Sequence, residues 1–413
     1  MKKNLHKLSG NKPKVLFIEY AQGFGGSVIS LSESLKGMTN IEPIVLILQD
    51  KKEIEDLYSK YILIKRKLYF TYLSKQKYME IIKIIARIKL LNKMFVLPFV
   101  VMEKIEQMFF VRFISKIVTK YNVELIYSNN GYNDSTVAAA KKNNIPCTLH
   151  FRGYKNIPYP FNEINRNYPS LHFAISKFVS NYLFNSGVPK EKIFTIHNSV
   201  DLNRFKKPCN MKNEIRAALD LNDNTVAIGI FGRITDWKGQ KEFIEVVSRL
   251  ADNKKISFKA FIIGDYSDTE CEYFNHIVKL SENLLHSKKL VLTGYKSNVE
   301  DYYAAMDIVV HASNVAEPFG RVVIEAMAAG TAIIAMNEGG PAEVIEHNKN
   351  GLLVEPRSIQ SLYDSIELLC LDVNFREQLA KNGKEMVAKN YAPEIIGAKI
   401  ESKLLPIVKG FSC

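Results

Sequence analysis

Long apolar runs are missing from this chain, and so is any cysteine pattern. No stretch reaches the roughly 18 apolar residues needed to span a bilayer. The apolar run at residues 15–20, after a basic amino terminus, has only a strand's length and no secretory signal follows it. The five cysteines (Cys147, Cys209, Cys271, Cys370, Cys413) are scattered, odd in number and never spaced as CxxC. That spacing excludes a disulfide framework and a zinc site, and a reducing, cytoplasmic compartment is expected. There is no Asp-x-Asp triplet, no His/Cys/Asp cluster at metal-ligand spacing, no serine-hydrolase elbow and no Walker P-loop. Negative charge is the scarcer sign: 43 acidic residues against 56 basic ones leave a formal charge of +13. Such a balance suits anionic partners. Without an arginine-rich tract, zinc-finger spacing or an RNP-like aromatic motif, nucleic acid is not expected among them. Phosphorylated substrates and an acidic membrane surface remain.

What is present is a soluble globular composition, 47% hydrophobic and 24% charged. A chain of 413 residues exceeds one ordinary core, so two domains of roughly 200 residues each are expected. Both halves alternate short apolar strands with amphipathic helices, the βαβ signature of doubly wound parallel sheets. Strands are expected at 14–19, 43–48, 125–127, 146–150, 173–176 and 193–197, then at 226–231, 259–263, 290–293, 308–311, 332–335 and 351–354. Helices are expected near 26–35, 135–142 and 177–184, and in the second half near 240–250, 273–284, 298–305, 322–329, 342–346, 359–370 and 374–389. The polar segment Asn198-Ser199-Val200-Asp201-Leu202-Asn203-Arg204-Phe205 marks the boundary. The expected organisation is therefore an amino-terminal domain over 1–198, a carboxy-terminal domain over 199–392, and a final amphipathic helix over 393–413 that crosses back to the first. Two such sheets enclose a cleft, the default ligand site. Residues 78–120 form a basic helical insertion carrying Met108-Phe109-Phe110-Val111-Arg112-Phe113. Its large apolar groups beside lysines fit either packing on the first sheet or a helix in a membrane interface.

The most informative segment is Glu317-Pro318-Phe319-Gly320-Arg321-Val322-Val323-Ile324-Glu325. It follows an apolar strand, is broken by Pro318 and Gly320, and leads into an apolar helix that contains Glu325. A carboxylate in apolar surroundings needs a partner, and a hydroxylated ligand is one candidate. Helix starts beyond parallel strands also bind phosphorylated ligands. Gly232-Arg233 ends another strand, and Lys238-Gly239 opens the next helix. Two cations at a helix start fit a diphosphate, or are simply a solvated basic pair. Gly23-Phe24-Gly25-Gly26-Ser27 follows the first strand and lets backbone N–H groups approach an anion. Val28 occupies the third glycine's place in the dinucleotide fingerprint, which argues against a nicotinamide enzyme. His150-Phe151-Arg152 ends a first-half strand. There His150 can bond a sugar hydroxyl or serve structure alone, and Arg152 can offset acceptor charge. Asn337-Glu338-Gly339-Gly340-Pro341 is a further loop entering a helix, and Tyr295 is placed to border a nucleobase.

These motifs together resemble the retaining glycosyltransferases of family four. The likeness covers nearly the whole chain and rests on Gly25-Gly26, His150, Asn198-Ser199-Val200-Asp201, Gly232-Arg233 with Lys238-Gly239, the Glu-x7-Glu block Glu317–Glu325, Gly339-Gly340 with Glu343, and Gly351-Leu352-Leu353-Val354. It implies the GT-B fold, two Rossmann-like doubly wound parallel-sheet domains facing a cleft. It also implies transfer of a hexose-type sugar from a UDP- or GDP-sugar to a glycan or lipid-linked acceptor. Cell-surface polysaccharide synthesis is the setting, with no divalent metal and no other cofactor. Implied catalytic residues are Glu317, His150, Arg233 and Lys238. The donor would meet Gly25, Gly26, Arg233, Lys238, Tyr295, Glu317, Phe319, Gly320, Arg321, Val322 and Glu325. Glu325 would hold the ribose, and Gly23 and Arg152 would lie on the acceptor side. Ser199 stands where the family's linker usually has glycine. The competing reading is a non-transferring GT-B enzyme, a sugar-nucleotide epimerase or a phosphorylase.

Overall fold

The computed structural model describes residues 12–21, 25–68, 89–131, 133–154, 157, 166–206, 208–267 and 270–411, without side chains for 89–100 and 209–210. The chain divides into two compact units. The first comprises 1–175, 179–196 and 397–413; the second comprises 176–178 and 197–396.

The first unit is built on a seven-stranded sheet of β1 (Lys14–Glu19), β2 (Glu42–Ile47), β3 (Ile62–Lys65), β4 (Leu125–Asn129), β5 (Cys147–Phe151), β6 (Leu171–Ala174) and β7 (Ile193–Thr195). They lie in the order β3-β2-β1-β4-β5-β6-β7, and every pairing is parallel. β4 and β5 are buried along their whole length and β1 along nearly all of it, as parallel strands covered on both faces require. The second unit holds β8 (Val226–Phe231), β9 (Phe258–Ile263), β10 (Leu290–Gly294), β11 (Ile308–His311), β12 (Ala332–Met336) and β13 (Leu352–Val354). Their order is β10-β9-β8-β11-β12-β13, again all parallel. Ile228, Ile230 and Ile308 of this sheet pack with Phe243, Ile244 and Val247 of the helix Gln240–Leu250. In each sheet the strand order reverses beside the first strand, between β1 and β4 and between β8 and β11. These are the switch points where open sheets bind ligands beyond the strands' carboxyl ends.

Twelve of these strands match the expected positions; β3 is the addition. It is a four-residue edge strand with no buried residue, so its alternation is submerged in the surrounding lysines. The short helices Lys52–Tyr58, Leu202–Phe205 and Cys209–Ala218 were likewise not expected. The single helix expected over 273–284 is two, Cys271–Leu280 and Glu282–His286. The break falls at Ser281, whose hydroxyl bonds back to the Ile277 carbonyl at 2.8 Å and competes with the helix ladder.

The insertion is a helix over Lys89–Tyr121; residues 78–88 of that expectation lie outside the described ones. Phe110, Ile114, Ile117 and Val118 form its buried face, and Ser115 Oγ accepts from Asn143 Nδ2 at 2.9 Å just beyond the helix Asp134–Lys142. Among the described residues no helix is long and apolar enough to cross a membrane. The helix Pro393–Phe411 begins in the second unit and ends in the first. Within the first unit Gly397 lies so close to Gly37 that a Cβ would fall 2.5 Å from its carbonyl carbon. Glu401 there accepts the Asn40 backbone N–H at 2.5 Å and its side-chain amide at 2.8 Å.

Candidate active site

Three loops at the carboxyl ends of β8, β11 and β12 meet in the second unit. The β8 loop holds Arg233 and Lys238, the β11 loop holds Ser313 and Glu317, and the β12 loop holds Gly339 and Gly340. Backbone bonds join them. Asn314 N–H donates to the Trp237 carbonyl at 3.0 Å, and Gly340 N–H donates to the Glu317 carbonyl at 2.8 Å. Glycine is obligatory at two of the contacts. Gly239 caps the helix Gln240–Leu250 with φ +80°, and a Cβ there would sit 1.9 Å from the Ala312 carbonyl oxygen. A Cβ on Gly340 would lie 2.2 Å from the Phe319 Cα.

Glu317 is the centre of this arrangement and is 8% exposed. Its Oε1 accepts from Lys238 Nζ at 2.6 Å and from Ser313 Oγ at 2.5 Å. His311 Nε2 lies 3.0 Å from the same oxygen, an ion-pair distance without hydrogen-bond alignment. Burial works against the charge, but His311 and Lys238 outweigh it and hold the Glu317 carboxyl well below the usual carboxylate range. Glu317 is therefore an anion braced by the Lys238 ammonium. The Lys238 ammonium also lies 4.5 Å from the centre of the Trp237 ring. Arg233 differs: its side chain is exposed, and its carbonyl is held by Gln240 Nε2 at 3.0 Å.

Glu325, on the helix Arg321–Ala329, is half-buried rather than enclosed, and its partners come from the chain. Arg321 Nε donates to Oε1 at 3.0 Å, and the buried Tyr303 hydroxyl donates to Oε2 at 3.0 Å. Arg321 also donates from Nη1 to the Ser199 carbonyl at 3.0 Å, so it is committed to protein contacts. Phe319 is buried, its ring 5.6 Å from that of His197. Val322 is half-buried, and Gly320 caps the helix at φ +76° without a side-chain cap. Glu343 anchors the far side: its carboxylate accepts the Lys177 and Phe178 backbone N–H groups at 2.8 Å each. Tyr295 follows edge strand β10, is 62% exposed, and stands apart from the Glu317 cluster.

In the first unit the carboxyl ends of β1, β4 and β5 carry a second polar group. Glu19 accepts the Ala21 N–H at 2.8 Å and the Asn129 amide at 2.6 Å, and Asn129 Oδ1 accepts from Arg152 Nε at 3.0 Å. His150 Nδ1 is bonded to the Tyr127 hydroxyl, while its buried Nε2 has no hydrogen-bond partner among the described residues. Burial, with Arg152 nearby, drives the His150 pKa well below the ordinary histidine value, so the ring is neutral. Gly25 and Gly26 start the helix Gly26–Lys36, and a Cβ on Gly25 would meet nothing within 4 Å. Gly23 lies outside the described residues.

His311, Ser313, Tyr303, Glu19 and Asn129 were not anticipated. Each had a faint signal, a polar group closing or following a largely apolar strand at a switch point, or a tyrosine whose hydroxyl must be satisfied if buried. Nothing in the sequence says which distant carboxylate such a group meets.

Residues 211–386 match the family described as glycosyl transferases group 1. An uncharacterized glycosyltransferase of Methanocaldococcus jannaschii is 28% identical over 51% of this chain and 52% of its own length. The capsular polysaccharide biosynthesis glycosyltransferase CapM of Staphylococcus aureus is 28% identical over 55% of this chain and 60% of its own length. The chain thus spans about half the length of the curated relatives it matches. The crystal structure of Anabaena HepE in complex with UDP superposes with a TM-score of 0.75 at 22% identity, covering 95% of this chain and 100% of that one. At that identity the likeness carries the fold, which is GT-B, with Rossmann-like parallel-sheet units. Over residues 211–386, then, the chain is similar to the glycosyl transferases group 1 family.

Proposed function

We propose that the protein is a retaining glycosyltransferase that moves a hexose-type sugar from a UDP- or GDP-sugar to a glycan or lipid-linked acceptor, without a divalent metal. The observation that carries the reading is the braced Glu317 carboxylate, with Lys238 on one side and an uncapped helix start on the other, beyond the strand ends of β8 and β11. Lys238 has N–H donors beyond the one given to Glu317. With exposed Arg233 it meets the donor diphosphate and stabilises the charge that develops on the leaving phosphate. Glu317, kept ionised, lies against the sugar and offsets positive charge at the reacting carbon. The backbone N–H groups of Phe319 and Gly320 bind sugar hydroxyls, Glu325 binds the ribose, and Tyr295 borders the base. In the first unit, His150 is neutral with a free ring nitrogen, suited to hydrogen-bond a hydroxyl. Retention follows a front-face attack in which the leaving phosphate oxygen takes the acceptor proton.

CapM's role in capsular polysaccharide biosynthesis and the UDP in the HepE complex support the substrate class. The test is release of nucleoside diphosphate from a panel of UDP- and GDP-sugars, with and without EDTA. The product anomer is assigned by NMR. Turnover unaffected by EDTA with a retained anomer is expected, together with weakened donor binding in Glu325→Ala. Inversion, strict metal dependence, or phosphorolysis without transfer overturns the corresponding part.

A further inference from the structure

The helix Lys89–Tyr121 has two faces over its described side chains. One face packs inward through Phe110, Ile114, Ile117 and Val118. The opposite face is exposed and changes character along its length. Val101, Met102, Ile105, Met108 and Phe109 come first, all exposed, with Phe109 at 50%. Arg112, Lys116 and Lys120 continue the same helical line at i+3 and i+4 spacing. Lys104 is exposed at the flank of the apolar part. Both acids of this stretch fall elsewhere: Glu103 is half-buried, and Glu106 lines a small pocket with Leu68, Phe110 and Asn133.

Among the described residues these five large apolar side chains lie on one solvent-facing line, opposite the face that packs on the core. We propose that this face docks on the surface of an anionic lipid bilayer. The Val101–Phe109 groups enter the boundary between headgroups and acyl chains, and Arg112, Lys116 and Lys120 meet lipid phosphates. The Arg112 guanidinium is 5.8 Å from the ring of Phe109, the most exposed of the five apolar groups, so apolar group and cation stand together, as at an interface where stem and charge part company. A second copy of the chain fits this face poorly. Antiparallel pairing lays the cations of one helix on the apolar groups of the other, and parallel pairing sets like charges together. The formal charge of +13 favours an anionic partner throughout. This inference rests on no assignment in the catalytic site.

The experiment is flotation of the full chain with vesicles of phosphatidylcholine alone or mixed with phosphatidylglycerol, at low and high ionic strength. Binding to the anionic vesicles, weakened by salt, is expected. The Arg112→Glu/Lys116→Glu variant should lower partitioning by about 25-fold or more, at about fivefold for each surface cation removed. The Ile105→Ser/Phe109→Ser variant should lose binding at both salt levels. All four side chains are exposed or nearly so, and unchanged melting of each variant verifies the fold. No flotation of the parent, flotation that neither variant alters, or a substituted residue that changes the mass in sedimentation equilibrium instead, overturns the proposal.

Discussion

Replacing Lys238 by methionine keeps the volume of the side chain and removes its charge, which isolates the electrostatics of Glu317. In the parent, Glu317 Oε1 has Lys238 at 2.6 Å, Ser313 at 2.5 Å and His311 at 3.0 Å. Removing one partner of a buried ion pair typically costs about 3–5 kcal/mol. Two partners remain here, and the Lys238 ammonium's contact with Trp237, worth about 0.5–1 kcal/mol, is lost as well. A loss of about 2–3 kcal/mol is expected, lowering the melting temperature by about 5–10 °C for a domain of this size. Adding Glu317→Gln removes the stranded charge, so the double variant should recover most of that loss while remaining inactive. Nucleoside diphosphate release should fall about 100-fold or more in either variant. The pH dependence has a definite sign. Glu317's folded pKa is depressed, so its stabilisation is fully present above the unfolded value of about 4.3 and is lost as pH falls through the folded one. The acid limb of the stability curve should therefore flatten in the double variant. Equal melting of parent and Lys238→Met, or turnover within a few-fold, refutes the reasoning.

Arg233→Ala is expected to leave thermal stability unchanged, because its side chain is exposed, yet to cost turnover about 100-fold; a shifted melting point with normal turnover reverses its role. Tyr303→Phe removes the hydroxyl that donates to Glu325 at 3.0 Å and should cost about 1 kcal/mol in urea unfolding; no change means that the Tyr303 bond contributes nothing. Gly239→Ala combines a left-handed backbone with a clash at 1.9 Å. It should prevent native folding of the second unit, by loss of near-ultraviolet circular dichroism, and a well-folded variant contradicts the close contact.

Much of this was legible in the sequence because parallel strands announce themselves as uninterrupted apolar runs. Val226–Phe231 and Ile308–His311 are bounded where expected. β3 was hidden because an edge strand with no buried residue has no hydrophobic constraint to display. In the site, Glu317 and Lys238 were legible from local breaks and helix starts, but their 2.6 Å pairing was not. That pairing depends on how β8 and β11 come to be neighbours despite the long stretch between them. Glu325 shows the limit from the other side: its need for a partner was readable, while Tyr303 and Arg321 as the answer came only from packing.

The closing helix has a consequence for biosynthesis. Residues 397–411 complete the first unit through Gly397 and Glu401, yet the ribosome makes them only after all of 197–396. The first unit must wait for its closing helix while the second unit is translated and collapses. A nascent chain halted anywhere before Gly397 should leave Ser34, Gly37 and Asn40 bare, and such an intermediate is a natural client for chaperones.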